Sequence, residues 1–215
     1  MNDPEKGPAL GPSRFILASA SPRRKRLLLE AGWSFEVIPA DLPEEPLPGE
    51  DPEAYALRMA ESKALKVAKR HLGRWVLGAD TMVVLPRNQG RERLLGKPTS
   101  EEEAADMLRA LSGRTHLVTT AVAFVRLPSA WSARDQRPPR KGCSFLVTSA
   151  VTFRSLSDWE IRNYVKTGEP MDKAGAYAIQ EGARGFVKSY SGSWSNIVGL
   201  PIEAVSQWLR DNLRC

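Results

Sequence analysis

The stretch WVLGADTMVVL, from Trp75 to Leu85, reads as one almost continuous apolar strand broken only by a carboxylate and a hydroxyl, Asp80 and Thr81. On either side of it, short apolar runs alternate with amphipathic helical patterns, which predicts an α/β fold. Upstream, Phe15 to Ala18 reads as a strand, and Ser19 to Ser21 turn into a helix with Pro22 at its first position and Gly32 as its stop. Phe35 to Ile38 is a second strand. The four prolines between Pro39 and Glu50 demand a loop or extended arm, and a long helix follows from about Pro52 to His71. Ala56, Met59, Ala60, Ala64, Val67 and Ala68 recur at helical spacing and define its buried stripe, on which Lys63 also lies.

Downstream, Pro86 to about Pro98 reads as a turn region. Ser100 with Glu103, and later Ser157 with Glu160, have capping-box spacing and open two helices, ending near Ser112–Gly113 and at Gly168. Thr115 to Arg126 and Phe145 to Arg154 read as paired strands. Gly175 to Tyr190 is Gly-rich and strand-like, and Pro201 starts a terminal helix that ends near Arg210.

The 215 residues, 42% hydrophobic and 26% charged, suffice for one full core or two small lobes around a cleft. Residues 1–13, with Asp3, Glu5 and Lys6 among prolines and glycines, read as a flexible extension without the apolar stretch of a secretory signal. Residues 14–215 then form a single domain. No apolar run approaches the ~20 residues that cross a bilayer, so a cytoplasmic protein without membrane partners is expected. The two cysteines, Cys143 and Cys215, provide neither a disulfide framework nor zinc-ligand spacing. Of the net charge of +6, Arg126 to Lys141 holds five basic residues against one acid, a net of +4. Charge confined to one Pro-rich insertion, about residues 127–143, suits a solvated loop, and no specific nucleic-acid partner is expected.

Asp80 is the most informative residue, because a carboxylate inside an apolar strand is costly unless paired, hydrogen-bonded or metal-bound. Gly78 and Ala79 leave the backbone beside it open to a ligand, and Thr81 faces the other side of a regular strand. The alternative to a functional role is a structural ion pair. Lys63, an ammonium on an apolar stripe, must either snorkel out or meet an anion. Ser19, Ser21, Arg23 and Arg24 set two hydroxyls and two guanidiniums at a helix N-terminus, suited to phosphate, although capping by Ser21 beside two solvated arginines explains them as well.

Lys97, in a turn, reads as exposed, and so do Glu44 and Glu45, in the Pro-rich loop, unless a metal lies near the two carboxylates. Gln180 ends the segment from Asp172 and offers a carboxamide that could read a base edge. His71 and His116 read as structural. No serine or cysteine is arranged around them for nucleophilic catalysis.

Taken together, Leu17 to Arg24, the helix bearing Lys63, Gly78 to Thr81, Gly96 to Pro98, Leu111 to Thr115 and Asp172 to Gln180 resemble the Maf family of nucleotide pyrophosphatases, also described as septum-formation inhibitor-like proteins. The resemblance covers nearly the whole chain from Phe15. It implies an elongated, two-lobed mixed-sheet α/β fold similar to the inosine triphosphatase group, with the active site in the central cleft, and a homodimer. It matches the family's catalytic aspartate to Asp80, its acidic loop residue to Glu44, its phosphate-binding residues to Arg24, Lys63 and Lys97, and its leading serine to Ser19 or Ser21. Arg23, Thr81 and Gln180 look like the group acting on dTTP and UTP.

The expectation is therefore a pyrophosphatase releasing pyrophosphate from dTTP or UTP, with Mg²⁺ or Mn²⁺ held by Asp80 and Glu44. The alternatives are a 7-methyl-GTP or modified-nucleotide pyrophosphatase of the same family, or a nucleotide-binding regulator of cell division without significant catalysis. The N-terminal extension and the basic insertion depart from the family pattern.

Overall fold

A computed structural model of the chain describes residues 14–86, 93–131 and 141–213. The sequence expectations for residues 1–13 and for most of the basic insertion fall outside these residues. In chain order the elements are β1 (Phe15–Leu17), α1 (Pro22–Glu30), β2 (Phe35–Val37), α2 (Pro52–Ala68), β3 (Val76–Leu85), β4 (Arg93–Leu95), α3 (Glu101–Leu111), β5 (Thr115–Arg126), β6 (Lys141–Phe153), α4 (Asp158–Val165), β7 (Val187–Ser191), α5 (Trp194–Val198) and α6 (Ile202–Asn212). The seven strands form one mixed sheet in the order β2-β1-β3-β5-β6-β7, with β4 also paired to β3. β1 runs parallel to both β2 and β3, and the remaining pairs are antiparallel. The α/β class and mixed sheet expected from the sequence are borne out.

β3 is the centre of this arrangement, and its two faces go to different helices. On one side Val76, Met82 and Val84 pack with Ala56, Ala60, Ala64 and Val67 of α2. On the other, Leu77 and Ala79 pack with Leu28 of α1 and with Val205 and Leu209 of α6. Toward the far end, Val83 and Leu85 join a third cluster with Leu108 of α3 and Ile161 of α4. The alternation of strand side chains therefore sends Asp80 toward α2 and Thr81 toward α1, as the regular strand predicted.

Four local readings are corrected. The stretch Gly175 to Tyr190 is a strand only from Val187. Before it lie short 3-10 turns at Glu169–Asp172, Ala174–Ala176 and Gly182–Phe186. Gly175 at φ 69° and Ala176 at φ 59° take left-handed backbone that a strand cannot hold, while Ala176, Tyr177, Ile179 and Phe186 bury themselves in the third cluster from irregular backbone. The Pro86–Pro98 turn region contains β4. β6 starts at Lys141 rather than Phe145, so the end of the basic insertion is strand, pairing Lys141 with Arg126. Finally, a Cβ on Gly78 would sit 2.2 Å from the Ala60 carbonyl oxygen and 2.8 Å from the Ala64 nitrogen. Its small size admits the α2 backbone rather than a ligand.

Capping follows the sequence closely. Ser157 and Glu160 form the full reciprocal box. At α3 only half is made: Ser100 accepts from the Glu103 backbone N–H, while the Glu103 carboxylate takes the Thr99 N–H instead. Among the described residues, no helix is long and apolar enough to cross a membrane.

Candidate active site

A cleft of about 980 Å³ opens where the end of β1, the start of α1, the middle of β3 and the loops around Glu44, Gly96 and Asp172 converge. Its wall includes every site residue named from the sequence: Ser19, Ser21, Arg23, Arg24, Glu44, Lys63, Asp80, Thr81, Lys97 and Gln180.

On the α2 side of β3, Lys63 and Asp80 are both buried, at 8% exposure each. The Lys63 ammonium donates to Asp80 Oδ1 at 2.6 Å and to Glu44 Oε1 at 2.5 Å. One cation thus gathers two carboxylates, whose bonded oxygens lie within about 5 Å of each other. Lys97, reaching in from its exposed turn, donates to the second Glu44 oxygen at 2.7 Å. Burial works against ionising Glu44, but the hydrogen bonds from Lys63 and Lys97 outweigh it and hold its carboxyl at about 2. Glu44 and Lys97 are therefore paired across the cleft rather than simply solvated. Tyr55 lies in the same wall; burial first, then the negative charges of Asp80 and Glu44, push its phenol up to about 12.

On the opposite side of β3, Arg24 leaves the first turn of α1 and its three guanidinium nitrogens are each engaged. Nε donates to the Gly199 carbonyl at 2.8 Å, Nη1 to Ser19 Oγ at 3.2 Å and Nη2 to Thr81 Oγ1 at 3.0 Å. Burial draws its guanidinium below the usual range against the pull of Asp80 and Glu44. Ser21 caps α1, accepting from the Arg24 backbone N–H, and Ser19 accepts from the Ser21 N–H. The capping explanation of Ser21 is thus correct, and the same cap faces the cleft with the helix N-terminus behind it, a setting that favours anions. Arg23 lies in the same wall near Asp172, whose carboxyl is held below its usual range by the Lys173 hydrogen bond and, less strongly, by Arg23.

The third wall is the irregular segment after α4. Lys173, 7% exposed, donates to the Glu169 carbonyl and to Asp172, both at 2.7 Å. The Gly175 N–H donates to the Gly96 carbonyl at 3.0 Å, tying this segment to the turn that carries Lys97. Gln180 sits in the turn beyond and lines the cleft.

The sequence reading passed over Tyr55 and the backbone of Gly199. A buried tyrosine at a helix start carries no distinctive pattern. Gly199, at φ 128° directly after α5, presents its carbonyl to Arg24 and Thr81, and a glycine two residues before a proline was the available signal. The two histidines are not in the cleft wall. His116 is fully buried, with Nε2 2.8 Å from the Tyr177 hydroxyl and edge-on to Phe153.

Among the described residues no group of three or more His, Cys, Asp or Glu side chains could hold a metal alone. Two carboxylates converging on one cation are nevertheless the donor set that Mg²⁺ or Mn²⁺ uses when a substrate's phosphates complete its shell. Asp80 and Glu44 fit that requirement.

A family model described as Maf-like protein matches residues 14–212. The chain is 47% identical over 197 residues to a protein of Geobacter sulfurreducens called dTTP/UTP pyrophosphatase, covering 92% of this chain and 95% of that one. It is 50% identical over 188 residues to a protein of the same description from Myxococcus xanthus, covering 87% and 86%. To a third, from Syntrophotalea carbinolica, it is 43% identical over 211 residues, covering 97% and 89%.

Proposed function

This chain belongs to the family of Maf-like proteins, and on that premise we propose that it is a nucleoside triphosphate pyrophosphatase that hydrolyses dTTP and UTP to the monophosphate and pyrophosphate. The observation that carries the reading is the buried pair of Asp80 and Lys63, joined by Glu44, facing a cleft whose other wall presents Arg24 from a helix N-terminus. Two carboxylates beside Arg23, Arg24, Lys63 and Lys97 suit a polyphosphate in which charge must be neutralised while water attacks.

In this reading the triphosphate lies between the α1 N-terminus and the lysines. Arg24, fixed by Gly199, Ser19 and Thr81, presents its remaining N–H groups to phosphate oxygens without losing much freedom on binding. Lys63 and Lys97 neutralise further oxygens, and Asp80 accepts the proton of a water attacking the α-phosphorus. Asp80 and Glu44 would hold a divalent ion, which when bound adds charge stabilisation at the phosphates. Arg23, Thr81 and Gln180 would read the nucleotide, with the Gln180 carboxamide supplying a donor and an acceptor to a pyrimidine edge. The names of the relatives support the pyrimidine nucleotides specifically.

The test is pyrophosphate release from dTTP, UTP, CTP, GTP and 7-methyl-GTP, with Mg²⁺ or with chelator, by the native protein and by Asp80→Asn. Rapid, metal-dependent release from dTTP and UTP, lost in a folded Asp80→Asn variant, is the expected result. Preference for 7-methyl-GTP would sink the substrate assignment, and undiminished release by Asp80→Asn would sink the role of Asp80.

A further inference from the structure

Glu44 sits in a segment, residues 38–51, that contains no helix or strand, so its position depends on what pins that segment from outside. Two pins belong to the cleft: Lys63 and Lys97 hold the Glu44 carboxylate itself. In the proposed reaction both lysines also serve phosphate oxygens, and they cannot hold Glu44 undivided while doing so. The loop therefore needs an anchor outside the cleft wall.

Arg58, five residues before Lys63 on α2, meets that need. Its Nε donates to Glu50 Oε1 and its Nη2 to Glu50 Oε2, both at 2.6 Å, a two-pronged fork that fixes the carboxylate's orientation. The same Nη2 donates to the Glu45 carbonyl at 3.1 Å, one residue beyond Glu44. Glu50 in turn accepts from the Leu47 backbone N–H at 2.9 Å. The Glu50 side chain is 10% exposed, and Arg58 stacks over Tyr55 with its guanidinium carbon 5.4 Å from the ring centre. At the other end of the loop Lys66 donates to the Asp41 carbonyl, where Asp41 takes a left-handed φ of 45°. Arg58 itself is not in the cleft wall.

We propose that Arg58, through its forked ion pair with Glu50, is a positioning residue that latches the Glu44 loop against α2 and sets the distance between Glu44 and Asp80. The inference rests on the catalytic reading of Glu44 above. A neutral side chain at position 58 frees the Glu45 carbonyl and the Glu50 carboxylate from α2, so Glu44 samples positions away from Asp80. Substrate binding through Arg24 and the lysines survives, and turnover falls.

The experiment compares the full-length native chain with Arg58→Gln, Glu50→Gln and the double variant, by hydrogen exchange over residues 41–50 and by steady-state pyrophosphate release from UTP with Mg²⁺. The latch predicts faster exchange in residues 41–50 with α2 unchanged. It also predicts a kcat loss of about tenfold or more in each single variant, a KM within about threefold, and a double variant no worse than the poorer single one. Native exchange in the loop of both single variants, or kcat losses that multiply in the double variant, would overturn it. Absence of pyrophosphate release by the native chain would instead reject the catalytic reading, leaving the exchange measurement to judge the latch alone.

Discussion

At the scale of single residues, two buried ionisable groups stand in contrasting settings. Asp80 is buried with a cation against it and a cleft before it. His116 is buried against the Tyr177 hydroxyl and aromatic edges, and burial depresses its imidazole to about 4. Its folded-state value lies below the unfolded value near 6.5, so the neutral ring stabilises the fold fully above about pH 6.5, and that contribution is lost as pH falls toward 4. Urea unfolding at pH 7.5 and pH 4.5 should show a loss of roughly 2 to 3 kcal/mol from this residue. His116→Gln should lack that share of the pH dependence, and an identical pH dependence in both proteins would contradict the assignment. The sequence marked His116 as structural because nothing reactive stood near it. It marked Asp80 as functional because apolar neighbours on both sides made an unpartnered carboxylate untenable.

At the scale of elements, the close approach of α2 to β3 sets the site. Ala56, Ala60, Ala64 and Ala68 are completely buried along α2, and Gly78 faces Ala60 and Ala64, so the helix backbone comes near enough for Lys63 to reach Asp80 at 2.6 Å. Gly78→Ala would place a methyl group against the Ala60 carbonyl, which is fixed in mid-helix. The helix must then move away, at a cost of about 1–3 kcal/mol in stability and, for a displacement near 1 Å, a rate loss on the order of a hundredfold. Urea denaturation and turnover of this variant check both figures; native stability together with native turnover would show that the helix position does not matter. Element types with strong periodicity were legible, since α2, β3 and β5 announce themselves by apolar spacing and α4 by its capping box. The segment from Gly175 to Phe186 was not, because its apolar residues imitate a strand while two consecutive left-handed residues, Gly175 and Ala176, prevent one. Nor did the sequence reveal Arg58, since a charged residue on an exposed helix face looks the same whether it is solvated or locking a loop.

At the scale of the whole molecule, residues distant in sequence meet because one strand divides two chemistries. β3 presents Asp80 to the lysine side and Thr81 to the arginine side, separated by a single peptide bond, while the parallel β1–β3 pair brings the α1 N-terminus alongside. Spaced motifs could name residues that gather at this cleft but not the bonds among them. The bridging of Glu44 by two lysines and the anchoring of Arg24 by Gly199 follow only from the folded arrangement. The central claim is that this arrangement directs water to the α-phosphorus. Hydrolysis of UTP in ¹⁸O-labelled water, followed by mass spectrometry of the products, tests it most directly. The label is predicted in uridine monophosphate; label in pyrophosphate, or orthophosphate as the primary product, would contradict the account.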